Sequence, residues 1–315
     1  MQPDQSADRS MAFPELLKTA AQTYLACFGL ATAIVAALYI PLAVVQAGLV
    51  IALQPIFTAT ESLLSGSRLG AVAFPSALLG GLLIAGLGGI YTLLVQPIVT
   101  GAVIQAAACQ VQASPTTFTA AYHAALQRMP HLIGASLIAV LIAALIAASI
   151  FLIRTGLFMS LMSLGDSTRG RHQETGTLIL GGCLIGISLL LIVIAVLLSL
   201  LLVGVPHAIM LDGLGVGAAI RRSIQLVRGS FGFVVLVQFT LSVALWLITA
   251  IPNMVMRALT EGMFPAPSTA TLTPYLLMNA GGYMIQIFTL PIQLMTTMVL
   301  YCNLRDRDAA REVQR

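Results

Sequence analysis

The stretch Leu178–Phe231, LILGGCLIGISLLLIVIAVLLSLLLVGVPHAIMLDGLGVGAAIRRSIQLVRGSF, decides how the rest of this chain is read. Its first half carries no charge and exceeds the ~20 residues that cross a bilayer as a helix. Its second half, from Pro206, holds the only arginine pair, Arg221 and Arg222. There Val216, Ile220, Ile224 and Val227 recur on one helical stripe, opposite Arg221, Gln225 and Arg228. Gly229 is placed to stop that helix, and Phe231 opens another uncharged run. A span, an amphipathic re-entry segment and a second span are expected in succession.

Composition extends this to the whole chain. Of 315 residues, 58% are hydrophobic and 8% charged, with a mean hydropathy of +0.98, which excludes an ordinary soluble domain. The ~10-residue alternating segments of a membrane barrel are absent. The expected fold class is therefore all-α, a polytopic membrane protein with six transmembrane helices. In a single domain, 1–315, the spans fall at about 24–53, 76–105, 131–153, 178–205, 231–256 and 275–301. Pro41 is expected to kink or end the first span, with a polar segment at about 54–70 after it. The longest polar connection is expected at 154–177, RTGLFMSLMSLGDSTRGRHQETGT. Gly182 and Gly186 form a GxxxG pair suited to close helix approach. Pro97, Pro206, Pro252 and Pro291 each lie near an expected helix end, where proline is tolerated.

Two more amphipathic segments precede spans. Pro14 and Glu15 suit a first helical turn, and Leu17, Ala21, Tyr24 and Phe28 share a stripe. Ser114 and Pro115 read as N-cap and N1 of a short helix bearing Phe118, Tyr122, Ala125 and Met129, which Pro130 would end. AALQRMPHLIGASLIAVLIAAL and IQLVRGSFGFVVLVQFTLSVAL align Leu126 with Leu226 and Arg128 with Arg228. The six spans thus read as three repeated units, each an amphipathic cytoplasmic segment followed by two helices. An even number of spans puts both termini on one side. That side, with the two later amphipathic segments, holds ten basic residues: Arg9, Lys18, Arg128, Arg221, Arg222, Arg228, Arg305, Arg307, Arg311 and Arg315. The other holds five: Arg68, Arg154, Arg169, Arg171 and Arg257. The positive-inside rule makes the first side cytoplasmic.

Several chemistries find no residues to carry them. Cys27, Cys109, Cys183 and Cys302 lie in or beside apolar runs without a C-x-x-C, and His123, His131, His172 and His207 form no ligand-spaced pair. Gly213, Gly215 and Ala218 match G-x-G-x-x-A, but the run before them reads as a membrane helix rather than a strand. Gln96, Gln105, Gln238, Asn253, Asn279, Gln286 and Gln293 suit hydrogen bonds between helices, and no acid or base lies deep in a span. Residues 1–18 do not read as a cleavable signal, because Asp4, Asp8 and Glu15 are mixed with Arg9 and Lys18.

The segment VPHAIMLDGLGVGAAIRRSIQLVRGSFGFVVLV, with Pro206, Asp212, Ala219, Arg222, Ser223, Leu226 and Gly229, resembles the hallmark of the glycerophosphodiester phosphodiesterase membrane-domain family and the related YciC-like inner-membrane proteins. The ending PIQLMTTMVLYCNLRDRD resembles that family's last helix and its Tyr, Leu, Arg, x, Arg exit. The resemblance implies a six-helix bacterial inner-membrane module, sometimes joined to a soluble phosphodiesterase. The catalytic part would need a few hundred residues with clustered His, Glu and Asp, and 14 residues follow Tyr301.

A non-enzymatic inner-membrane protein is therefore expected, supporting the membrane or envelope by binding lipid or a membrane-protein partner. A small-solute permease with its path between the repeats is the alternative. No catalytic, cofactor or metal residue is assigned, and no nucleic-acid partner is expected. The candidate binding residues are Asp212, Arg221, Arg222, Ser223 and Arg228, with Asp212 pairing to an arginine across a cytoplasmic cavity and the others receiving an anionic headgroup or a partner. The simpler use of these arginines is a positive-inside anchor that snorkels to lipid phosphates.

Overall fold

The computed structural model describes residues 11–65, 89, 91–111, 114, 116–165, 171–263 and 272–313, and every regular element among them is helical. Helix α1 is Phe13–Ser65, and α2 is Gln96–Val111 behind a π-helical turn at Tyr91–Val95. Next come α3 Phe118–Gln127, α4 Met129–Gly165 and α5 Arg171–Leu202. The chain continues through α6 Val205–Leu211, α7 Val216–Gly229, α8 Phe231–Met263 and α9 Leu272–Val313. Among the described residues, six stretches are long and apolar enough to cross a membrane, α5 and α6 forming one of them. Leu141, Phe151, Leu190, Phe239 and Trp246 stand exposed on their outer faces. Water would penalise such a surface, whereas lipid tails are as apolar as the side chains. The chain is an all-helical, multi-pass membrane protein.

Packing is concentrated towards the end of the bundle where the start of α1 meets the last turns of α9. One core cluster joins Leu16, Ile104, Leu132, Ile209, Leu226 and Tyr301 from six helices, and a second joins Ile34, Val103, Ala121 and Met295. The Met11 amide donates to Asn303 Oδ1 at 3.1 Å, and Arg307 Nη2 donates to the Met11 carbonyl at 2.7 Å. The start of α1 and the end of α9 therefore lie side by side. About 27 Å along α9 from Tyr301, close to one hydrocarbon thickness, Tyr283 packs edge-on against Tyr39, which packs in turn against Tyr91. The Tyr283 hydroxyl also donates to Gln46 Oε1.

The helices run further than composition suggests. α1 continues through Pro41 and Pro55 to Ser65, so residues 54–65 are helix rather than a polar break. α4 continues past Arg154 to Gly165, and α5 begins at Arg171, leaving only 166–170 between them in place of a long polar loop. Pro252 and Pro291 lie inside α8 and α9, not at their ends. The common cause is that backbone groups in lipid have no water to turn to, so a helix missing one donor is preferred to a broken one. Arg154 is exposed within α4; an arginine need not end a membrane helix, since a long stem lets such a charge reach the headgroups, and Leu157, Phe158 and Leu161 continue the apolar surface.

Other expectations need correcting locally. Ser114 closes α2, its hydroxyl donating to the Cys109 carbonyl at 3.1 Å, and Thr117 is the N-cap of α3, accepting from the Ala120 amide at 3.3 Å. Pro130 opens α4 instead of ending α3, since the first turn has no amide to lose there. Gly182 and Gly186 meet nothing within 4 Å. Close approach occurs one residue earlier, where a Cβ on Gly181 would come 2.8 Å from the Gly156 carbonyl. Gln105 bonds Cys109 Sγ in its own helix rather than a neighbouring one. The N-terminal lead-in is continuous with α1, whereas α3 and α7 are separate helices set off by Arg128 and Ser230. The first part of the expected second span, at 76–88, and the Pro-rich segment 264–271 lie outside the described residues.

Candidate functional site

The re-entry segment is built on a break in the fourth span. α5 stops at Leu202 and α6 starts at Val205, which frees the terminal carbonyl and amide groups between them. Ser223 of α7 satisfies both sides: its hydroxyl donates to the Leu201 carbonyl at 2.7 Å and accepts from the Gly204 amide at 3.2 Å. A Cβ on Gly204 would come within 3.0 Å of Ser223 Oγ and of the Tyr301 ring, so this approach requires glycine. His207 of α6 is buried, with Nε2 near the Leu294 carbonyl at 3.4 Å and Thr297 Oγ1 at 3.3 Å, and its ring stacks on Tyr301. At the far end of α6 the Arg128 guanidinium donates to the carbonyls of Ile209 and Met210, the latter at 3.1 Å. These are carbonyls that a helix end leaves open. Gly213 then turns the chain with φ of 70°, a conformation that costs other L-residues about 1–2 kcal/mol.

The end of α9 ties this segment down. The Tyr301 hydroxyl donates to Asp212, and Arg305 Nη1 lies 3.2 Å from the other carboxylate oxygen. Arg222 Nη1 meets Asp308 Oδ2 at 2.6 Å, with both side chains 28% exposed. Arg311 Nη2 donates to the Gly229 carbonyl at 3.0 Å, capping α7. Arg307 sits 4.3 Å over the Phe233 ring. Further in, the Tyr122 hydroxyl of α3 donates to the Ile34 carbonyl at 2.6 Å, and burial pushes its phenol up to about 12. It is a neutral donor at any physiological pH.

The five residues singled out by the sequence thus divide. Asp212 pairs with Arg305 on α9, 3.2 Å away. Ser223 is 1% exposed and committed to backbone groups, so it is not open to a ligand. Arg222 is engaged by Asp308. Arg221 and Arg228 are exposed and make no ion pair among the described residues. They are seven residues apart, hence on one face of α7 and about 10 Å apart along its axis. The buried stripe is centred on Ala219, Ser223, Leu226 and Val227, with Val216, Ile220 and Ile224 only half-buried. Hydrophobicity alone misplaces it, since small Ala219 and Ser223 are what allow the close contact. The apparent G-x-G-x-x-A follows a helix, α6, and lacks the strand a dinucleotide site requires.

Sequence reasoning missed Arg128, Tyr301, Arg305 and Asp308 as members of this network. The available signals were the alignment of Arg128 with Arg228 and the Tyr, Leu, Arg, x, Arg exit at Tyr301–Arg307. Among the described residues, no three His, Cys, Asp or Glu side chains gather as a metal would need. Comparison with protein-family models, with curated proteins and with solved structures gives no match in any of the three.

Proposed function

We propose that this chain is a non-enzymatic protein of a bacterial inner membrane, and that α7 binds anionic phospholipid headgroups through Arg221 and Arg228. The observation that carries this is that these two exposed arginines share one face of an amphipathic helix while its third, Arg222, is held by Asp308. Every basic side chain near an anionic surface adds about 1 kcal/mol, so the pair together strengthens attachment roughly tenfold or more. The ten-to-five distribution of basic residues supports a cytoplasmic place for this end of the bundle. Membership of the glycerophosphodiester phosphodiesterase membrane-domain family belongs to the same proposal. Its support is that the two resembling segments, 205–237 and 291–308, are those joined by Asp212, Tyr301 and Arg305. The role that follows is support of the membrane or envelope through lipid held at this face.

The test is native mass spectrometry of the protein released from nanodiscs containing mixed phosphatidylglycerol and phosphatidylcholine. The Arg221→Ala/Arg228→Ala variant is expected to lose its preference for phosphatidylglycerol, whereas Arg154→Ala keeps it. An unchanged preference in the double variant refutes the assignment.

A further inference from the structure

We infer that the crevice between α4, α5 and α6 holds one acyl chain of a membrane phospholipid. It is a cavity of about 180 Å³. One wall is a single stripe of α4, Ala135, Ile138, Ala139 and Ile142, at i, i+3, i+4 and i+7. The two alanines leave the room that larger residues at the same spacing would fill. The opposite wall straddles the break in the fourth span, with Ser199 before it and Pro206 after it. The break and the first-turn proline therefore shape the space.

The lining selects the occupant. Among the described residues no charged group lines the cavity, and the polar side chain there, Ser199, already donates its hydroxyl to the Ala195 carbonyl at 2.7 Å. A buried water needs two to four polar partners, which this wall does not offer. A helix of a second copy is about 10 Å across with its side chains, too wide for this volume, whereas a run of methylenes fits. Ala139 and Ser199, one on each wall, are themselves exposed, so the crevice opens to the surface that faces the bilayer hydrocarbon. This rests on the proposal that the protein binds lipid and gives the lipid's apolar half a place, separate from the arginines that would take its headgroup.

The experiment uses the full chain in nanodiscs containing phosphatidylglycerol with a diazirine in the middle of one acyl chain, followed by irradiation and peptide mapping. Labelling is expected to concentrate on 135–142 and 199–206, above that on lipid-facing α8 around Phe239 and Trp246. Ala139→Phe and the milder Ala135→Met should abolish the excess, while Ala144→Phe, outside the cavity, keeps it. If Ala139→Phe does not fold, Ala135→Met and the wild-type distribution decide the matter. Labelling spread evenly over α4, α5 and α8, or an excess that survives both filled variants, overturns the inference. The Arg221→Ala/Arg228→Ala variant separates the two proposals: it should keep the acyl labelling while losing the headgroup preference.

Discussion

Replacing Ser223 by alanine tests whether this buried hydroxyl is structural. Its removal deletes the bonds to the Leu201 carbonyl and the Gly204 amide. Each is worth about 1 kcal/mol net, and each backbone group left buried without a partner costs about 1–3 kcal/mol. Hydrogen bonds inside membrane proteins average nearer ~0.6 kcal/mol where alternative partners exist. Here Ser223 is 1% exposed, and Val205, Leu226 and Tyr301 close around the break and keep water from the freed groups. A loss of about 2–3 kcal/mol is therefore expected. Reversible unfolding by SDS in mixed micelles, followed by circular dichroism, measures it, with Arg221→Ala as the neutral comparison. If Ser223→Ala unfolds within about 0.5 kcal/mol of the wild type, the scale of an inconsequential surface change, the capping argument fails. A variant that keeps its stability but loses bound lipid would return Ser223 to the role of a ligand residue.

The same unfolding assay serves for two more substitutions. Gly213→Ala should cost about 1 kcal/mol because of the 70° φ; an unchanged midpoint would mean that the turn relaxes. Asp212→Ala should cost about 2 kcal/mol, mostly through the orphaned Tyr301 hydroxyl. The Arg305 part stays below about 1 kcal/mol, since that side chain is 43% exposed. Asp212→Asn, which still offers Tyr301 an acceptor, should recover about half, and equal losses in the two variants would contradict this division. For the topology, a reporter active only in the cytoplasm should work when fused after Arg315; an expressed but silent fusion would invert the assignment of sides.

What could be read from the sequence follows from which forces are written locally. The spans were legible because bilayer crossing depends on the summed apolarity of ~20 residues, and the run from Leu178 has that with no charge. Where helices end was less legible. Arg154 and Pro41 look like boundaries by the rules of water-exposed chains, yet lipid removes the water that would stabilise a break. Asp212 was recognisable as an acid that needs a cation, but its arginine lies 93 positions away on α9. Nothing in the spacing of Arg221 or Arg222 could reveal that. Ser223 was noticed for the wrong chemistry: a hydroxyl beside an arginine pair suggests a phosphate, whereas its place on the inner side of α7 gives it to the backbone.

The way α9 fastens onto the rest of the bundle also bears on how the protein is made. Met11 finds its side-chain partner, Asn303, 292 residues later. At about 5–20 residues per second, synthesis alone keeps the two apart for roughly 15–60 s. Asp212 and Arg222 wait less long, about 4–20 s at the same rate, for partners that lie 93 and 86 positions later. Ribosomal delivery of α9 is thus the step that converts a set of inserted helices into a closed bundle. A chain that stops before α9 would leave Asp212 and Arg222 without their charge partners.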